Sequence, residues 1–462
     1  YAWSKFARVA IGTNNIDFRA RELGADQGEE EAAFLASTVA LTAPGNGGVT
    51  YTDLEGARTV LLAGLEPEDE AGTIFLRLRK GNRARGTRVF SIAAIATRGL
   101  GKVGGTLLPT VPGGEAAALA GLSQNPDVPL DADSVILVGE RLATVPGALS
   151  AAAQLAASTG ARLAWVPRRA GDRGAVETGC LPGLLPGGRP VADASARVDL
   201  AAAWGLDALP EAPGLSTSGI ISGLASGDLA ALVVGGVDPS DVPLDDATTQ
   251  ALRAAFVVSL EVRSSAFTEL ADVVLPVAPS AEKSGTFVSW EGRVRPFPRV
   301  IDAPGSLPDV RVLAGIAEEL GRSTGLRTPE QAWAEMTQVG PWEGARPSAP
   351  TVAAGSATAG PLVLSSWKQS VDDGRMQDGD EHYLATARPA VAIINQATLD
   401  GLGLTAGDRV TLSGPLGSAT LPVAVGDVVD GAVWAPASTP GLPVRRLVGP
   451  AGSTVTLQGG TK

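Results

Sequence analysis

Several short runs of this chain are apolar without interruption, and these restrict the fold more than any other feature. Residues 59–63 read Thr-Val-Leu-Leu-Ala, 88–94 Arg-Val-Phe-Ser-Ile-Ala-Ala, 134–139 Ser-Val-Ile-Leu-Val-Gly and 161–166 Ala-Arg-Leu-Ala-Trp-Val. A strand with one wet face alternates polar and apolar residues. Runs like these instead suit strands buried on both faces, in a parallel sheet covered by helices. The stretch from Pro146 to about Ser158 reads as one such covering helix. A second set follows, with strands expected at 230–237, 255–262 and 271–277 and helices at 245–254 and roughly 264–270. The predicted fold class is α/β, with two parallel-sheet units of the nucleotide-binding type.

Texture marks the boundaries. After Cys180 the chain runs Leu-Pro-Gly-Leu-Leu-Pro-Gly-Gly-Arg-Pro, an irregular loop. Residues 344–360 are small, polar and Pro-rich, which predicts a linker. Beyond them come short strands at 361–365, 389–395, 407–414, 417–425 and 431–435, punctuated by turns at Ala406-Gly407-Asp408 and Ser413-Gly414-Pro415. That pattern predicts a C-terminal β-barrel. The expected organisation is 1–190 and 191–343 as α/β units, 344–360 as linker and 361–462 as barrel.

Composition narrows the function. Aromatic residues are 4% of the chain, so the core must be built from Ala, Val and Leu. The net charge of −12 repels phosphate backbones and argues against nucleic acid as a partner. No apolar run is long enough to cross a bilayer, so direct membrane insertion is not expected. The chain opens on Tyr1 rather than Met, so a preceding segment is expected. Cys180 and His382 are the single Cys and single His. An intrachain disulfide is impossible, and neither a four-ligand iron–sulfur cluster nor a structural zinc site can be assembled from them. No metal ligands and no catalytic residues are expected in this segment. His382, beside Glu381 with no nucleophile nearby, reads as a solvated surface residue, and Cys180 as buried filler.

Three stretches carry candidate chemistry. Gly12-Thr13-Asn14-Asn15-Ile16-Asp17 reads first as a turn with Asp17 as a cap, and second as backbone amides and Asn side chains lining a dinucleotide pocket. Gly235-Gly236-Val237-Asp238-Pro239 ends a strand, where glycine gives the turn its freedom or lets a phosphate approach. Glu282-Lys283-Ser284-Gly285-Thr286-Phe287 followed by Glu291-Gly292-Arg293 either pins a long loop through ion pairs or offers Lys283 and Arg293 to an anionic cofactor. The basic run Arg77-Leu78-Arg79-Lys80, with Arg83 and Arg85, reads as a solvated helix end or a dock for an acidic neighbour.

Together these stretches resemble the molybdopterin oxidoreductase family. Lys5 and Arg8 with Gly12 to Asp17 and a trailing Arg19 or Arg21 match one segment of its pattern. Ala271-Asp272-Val273-Val274-Leu275-Pro276, Glu282, Gly285-Thr286-Phe287 and Glu291-Gly292-Arg293 match a second. Leu399 to Val410 is similar to its C-terminal dinucleotide-binding domain, which implies a barrel of the double-psi type. Leu76 to Lys80 and Gly174 to Pro190 are similar to the large iron–sulfur subunits of NADH–quinone oxidoreductases within that family. The resemblance implies a structural, pterin-oxidoreductase-like part of a peripheral arm, beside the other peripheral-arm subunits, on the cytoplasmic side of the inner (plasma) membrane. Electrons would pass from NADH to quinone through iron–sulfur clusters in the preceding region. It also implies that Gly12, Thr13, Asn14, Asp17, Gly236, Lys283, Gly285 and Arg293 mark a vestigial pterin region with no cofactor held. The alternative is the C-terminal part of a catalytic molybdopterin enzyme of formate dehydrogenase-like or nitrate reductase-like kind.

Overall fold

The computed structural model describes residues 1–20, 25–237, 242, 245–355 and 362–459. Arg21, Asp238 and Pro239 lie outside these described residues. The chain divides into two compact units, each built from two separate segments: Tyr1–Gly48 with Arg169–Ala349, and Val49–Arg168 with Pro350–Lys462.

The second of these holds a five-stranded parallel sheet made of β1 (Thr59–Ala63), β2 (Arg88–Ala93), β3 (Thr106–Pro109), β4 (Ser134–Gly139) and β5 (Arg162–Val166), ordered β3-β2-β1-β4-β5. Strands β1 and β4 are buried along their whole length, which is why their sequences lack alternation. The helix following β4 covers Ala148–Thr159 and buries Ala148, Leu149, Ala151, Ala152 and Leu155. Strand β3, Thr-Leu-Leu-Pro, is a short half-exposed edge that its sequence does not announce.

The first unit contains a small hairpin, β6 (Leu184–Leu185) and β7 (Arg189–Pro190), where sequence alone suggested irregular loop. It also holds a parallel sheet of β8 (Ala231–Gly235), β9 (Phe256–Glu261) and β10 (Val273–Pro276), ordered β10-β9-β8. An antiparallel hairpin follows, β11 (Gly285–Val288) with β12 (Val294–Phe297). Phe6, Ala10, Leu260, Val277, Leu313 and Ala317 form one core on this sheet.

In the second unit the chain ends in a closed six-stranded barrel: β13 (Leu362–Ser365), β14 (Ala392–Ile394), β15 (Arg409–Gly414), β16 (Gly417–Val425), β17 (Ala432–Trp434) and β18 (Thr454–Gly459). Closure leaves no strand edge unpaired. Strand β18, beyond the expected set, completes the ring by pairing with β13 and β15. Leu364, Val410, Leu412, Val433 and Val455 fill the interior, as the low aromatic content requires. Residues 344–355 form no helix or strand. Near their end Val352 donates its N–H to Ser150 Oγ at 3.0 Å.

Candidate cofactor site

Every residue singled out for a cofactor lies in the first unit, beginning with the loop after the first helix. Ala2–Lys5 continues into Phe6–Ile11, whose wider winding brings the Gly12 N–H to Ala7 O. Gly12 ends it with φ of +80°, a conformation that suits glycine. Thr13 also donates its N–H to Ala7 O at 2.9 Å and accepts from the Asn15 N–H at 3.0 Å. Asn14 is buried and saturated. Its Oδ1 accepts from Arg8 Nε at 3.1 Å, while Nδ2 donates to Pro210 O at 2.9 Å and Ala212 O at 2.8 Å. Gly214 comes so close that a Cβ there would sit 1.8 Å from Asn14 O. Arg8 spends its remaining donors on Ser4 Oγ and on the carbonyls of Gly179, Leu181 and Leu184. No carboxylate reaches it among the described residues, and burial pulls its guanidinium down to about 10, with Cys180 acting in the opposite sense.

Asp17 is equally committed. Its carboxylate takes Arg19 in a two-pronged pair, Oδ1 to Nε at 2.8 Å and Oδ2 to Nη2 at 2.7 Å. Oδ2 also accepts from the Thr217 N–H at 3.0 Å, at the start of the helix Thr217–Ser226. Both side chains are 1% exposed. Asp17 is thus a cross-brace between the loop and a distant helix.

The other candidates sit apart. Gly236, exposed with φ of +66°, turns the chain after β8 with open space beside it. Lys283 Nζ pairs with Asp309 at 2.5 Å, at the first turn of the helix Asp309–Glu319. Gly285 lies under the Phe297 ring, which a Cβ would meet at 2.6 Å. Arg293 Nε donates to Glu291 Oε2 at 3.1 Å. Among the described residues no hydrogen bond or ion pair joins the Gly12–Asp17 loop, Gly236 and the hairpin residues to one another. His382 is exposed on the short helix Glu381–Leu384, and Cys180 is buried.

The second unit holds a further region, around the turn that follows β1. In a sheet ordered β3-β2-β1-β4-β5, the winding reverses between β1 and β4, and their C-terminal ends are where an open α/β fold receives a nucleotide. Here those ends are shut. A Cβ on Gly139 would lie 2.2 Å from Gly64 O, and one on Gly64 would lie 2.6 Å from Leu142 N. The turn after β1 supplies Glu66, Glu68, Asp69 and Glu70. Glu66 caps the helix Pro67–Glu70 with its own carboxylate, taking the position a phosphate would use. Arg141, after β4, is held by both oxygens of Glu70, at 3.0 and 2.9 Å, and lies 4.9 Å from the Trp367 ring centre. Asp69 accepts from Trp367 Nε1 at 3.0 Å and pairs with Arg388.

Burial raises the Glu66 carboxyl to about 7, against the pull of the Thr97 hydroxyl and the Glu68 N–H. The folded chain therefore binds this proton more tightly than the unfolded chain, where the group titrates near 4.5. The group's contribution to stability falls as pH rises from about 4.5 to about 7 and is level above that. Glu66→Gln is expected to gain roughly 3 kcal/mol on the wild type between those limits, at about 1.4 kcal/mol per tenfold in proton affinity. Urea denaturation of both proteins at either end of the window measures it. A constant difference between the two would refute the assignment.

Comparison with known proteins places these features. Residues 1–318 match the family described as Molybdopterin oxidoreductase, and residues 363–459 match the Molydopterin dinucleotide binding domain. The chain belongs to the molybdopterin oxidoreductase family. It is 49% identical over 455 residues to the NADH-quinone oxidoreductase G subunit of Mycobacterium bovis, covering 96% of this chain and 56% of that protein. To its counterpart of the same name in Streptomyces coelicolor it is 45% identical over 472 residues, covering 96% and 55%. The chain thus spans about half the length of these relatives. Among solved structures, acetylene hydratase from Pelobacter acetylenicus shares the fold, with a TM-score of 0.54 at 12% identity over 94% of this chain and 81% of that one.

In this molybdopterin oxidoreductase family member, the second motif has packing reasons. Asp272 accepts the Val257 N–H at 2.8 Å through Oδ2 and donates its own N–H to Val257 O at 2.9 Å, fastening the start of β10 to β9. Gly292, with φ of +81°, turns the β11–β12 hairpin so close to Thr42 O that a Cβ would lie 2.2 Å from it. Arg173 is the residue that sequence reasoning passed over. It is 1% exposed, donates to Thr42 O at 2.7 Å and pairs with Glu177 at 2.5 Å. Glu177 in turn receives the Leu41 N–H at 3.0 Å, and Leu41, with φ of +63°, is the one non-glycine residue in that conformation among the described residues. The pair with Glu177 is a local i,i+4 contact, but the bond to Thr42 spans 131 residues and no local pattern encodes it.

Proposed function

We propose that this chain is the structural, pterin-oxidoreductase-like part of an NADH–quinone oxidoreductase. It would support iron–sulfur electron transfer from NADH to quinone that takes place elsewhere in the complex. Likeness to a named subunit of that enzyme over 96% of the chain supports the assembly. The observation that carries the structural role is the closed end of β1 and β4, where Glu66, Glu68, Asp69 and Glu70 stand where a pyrophosphate would need positive charge. In the other unit, Asn14, Asp17, Lys283 and Arg293 already have partners within the chain. These residues do not fit a pterin dinucleotide. One Cys and one His cannot hold an iron–sulfur cluster, so clusters belong to other parts of the assembly.

On this reading the partners are other peripheral-arm subunits, the location is the cytoplasmic side of the inner (plasma) membrane, and this segment performs no chemical step. Because electron transfer weakens steeply with cofactor separation, a rigid support for cluster-bearing domains has a defined physical task. Its own helices fit a peripheral position, since among the described residues none is long and apolar enough to cross a membrane. The test is metal and nucleotide analysis of the native assembly purified through this chain. Iron, NADH-oxidising partners and neither molybdenum nor guanine nucleotide are expected. Molybdenum and guanine nucleotide in amounts equal to this chain would overturn the reading.

A further inference from the structure

We infer that one face of the helix Gly72–Arg85 is a docking site for an acidic amphipathic helix of a partner protein. The helix carries Arg77, Arg79, Lys80, Arg83 and Arg85 and no acidic residue, in a chain of net charge −12. Ordinary roles account for some of these charges. Arg77 and Lys80 pair with Glu55 at 2.5 and 2.8 Å, and Arg83 and Arg85 lie in the last turn, where the helix dipole favours cations. They do not account for Arg79 or for Leu76. Arg79 Nε is covered from solvent and has no hydrogen-bond acceptor among the described residues. Leu76 is 58% exposed on the same face.

Leu76, Arg79, Lys80, Arg83 and Ala84 line one shallow depression of about 370 Å³. Their spacing places them on a single helical stripe, apolar at both ends and cationic in the middle. Such a stripe complements a second helix that presents carboxylates one turn apart in its middle and an apolar side chain a turn beyond them, opposite Leu76. A bound carboxylate would pair with Arg83, which is exposed in the middle of the stripe. Nucleic acid fits worse, because the stripe is only one helix face long, too short to neutralise a run of phosphates. The proposal is independent of the electron-transfer reading, since it concerns only this face.

The full chain is titrated with a fluorescent helical peptide of about 15 residues, with two central Glu one turn apart and one Leu a turn beyond them. Saturable binding is expected, weakened about tenfold by Arg83→Glu and about fivefold by Leu76→Ser. Both residues are exposed, so the thermal unfolding curve of each variant should match the wild type and exclude misfolding as the cause. A peptide with Ser in place of Leu should bind several-fold more weakly. The inference is overturned by no binding, by equal binding of the Ser peptide, by indifference to both substitutions, or by tighter binding of a short duplex RNA.

Discussion

Asp17→Ala is expected to destabilise the chain by about 4 kcal/mol, because it strips a fully covered guanidinium of its main counter-charge. Arg19 would keep the Gly28 carbonyl at 2.5 Å and Glu31 at 3.4 Å, and the Thr217 N–H would lose its acceptor. The two losses fall on different elements, the loop after Ile11 and the helix Thr217–Ser226, which Asp17 joins across 200 residues. Hydrogen exchange should show protection falling in both while strands β1 and β4 keep theirs. If protection in 217–226 were unchanged, Asp17 would not be the brace described. Asp17→Asn retains the shape and one acceptor oxygen, so it should cost less than the alanine change.

Arg8→Met is expected to cost about the same, for the opposite electrostatic reason. Arg8 has no carboxylate partner among the described residues. Its charge is solvated by Ser4 Oγ, Asn14 Oδ1 and the carbonyls of Gly179, Leu181 and Leu184. Methionine fills similar volume and removes the cost of burying the charge, but it leaves those carbonyls without donors at about 1–3 kcal/mol each. Urea unfolding should report a loss of about 4 kcal/mol for Arg8→Met. Arg8→Lys, a single point donor in place of a planar fork, should recover only part of it. A methionine variant as stable as the wild type would show that water satisfies those carbonyls unaided.

What the sequence made legible follows from where each interaction lies along the chain. Strands β1 and β4 announce themselves because burial on both faces leaves little room for polar residues, and the half-buried β8 is read from the same kind of apolar run. Strand β18 does alternate, with Val455 and Leu457 inward and Thr454, Thr456 and Gln458 outward, yet six residues preceded by a Gly-rich turn stand out little from loop. The hairpin of β11 and β12 hid behind its own charges, since Glu291, Gly292 and Arg293 look like a ligand cluster when only spacing is visible. Their reasons, the approach to Thr42 and the ring of Phe297 over Gly285, depend on neighbours that spacing does not show. Lys283 finds Asp309 26 residues away, and Asp17 finds Thr217 far beyond any local window. The acidic turn after β1 was visible as composition, but its meaning came only with the strand order that sets it beside Arg141.

The segmentation of the two units bears on how the chain can be made. Residues 1–48 belong with 169–349, and 49–168 belong with 350–462. During synthesis each opening segment leaves the ribosome long before its companion exists, so hydrophobic surface such as Phe6, Phe34 and Leu35 stays uncovered while more than a hundred further residues are added. Long-range closure of this kind is slow, and the waiting segments are exposed to aggregation and proteolysis. A ribosome stalled before residue 349 would therefore release a product in which neither half has reached its native form, and production of this polypeptide should depend strongly on chaperones that bind nascent chains.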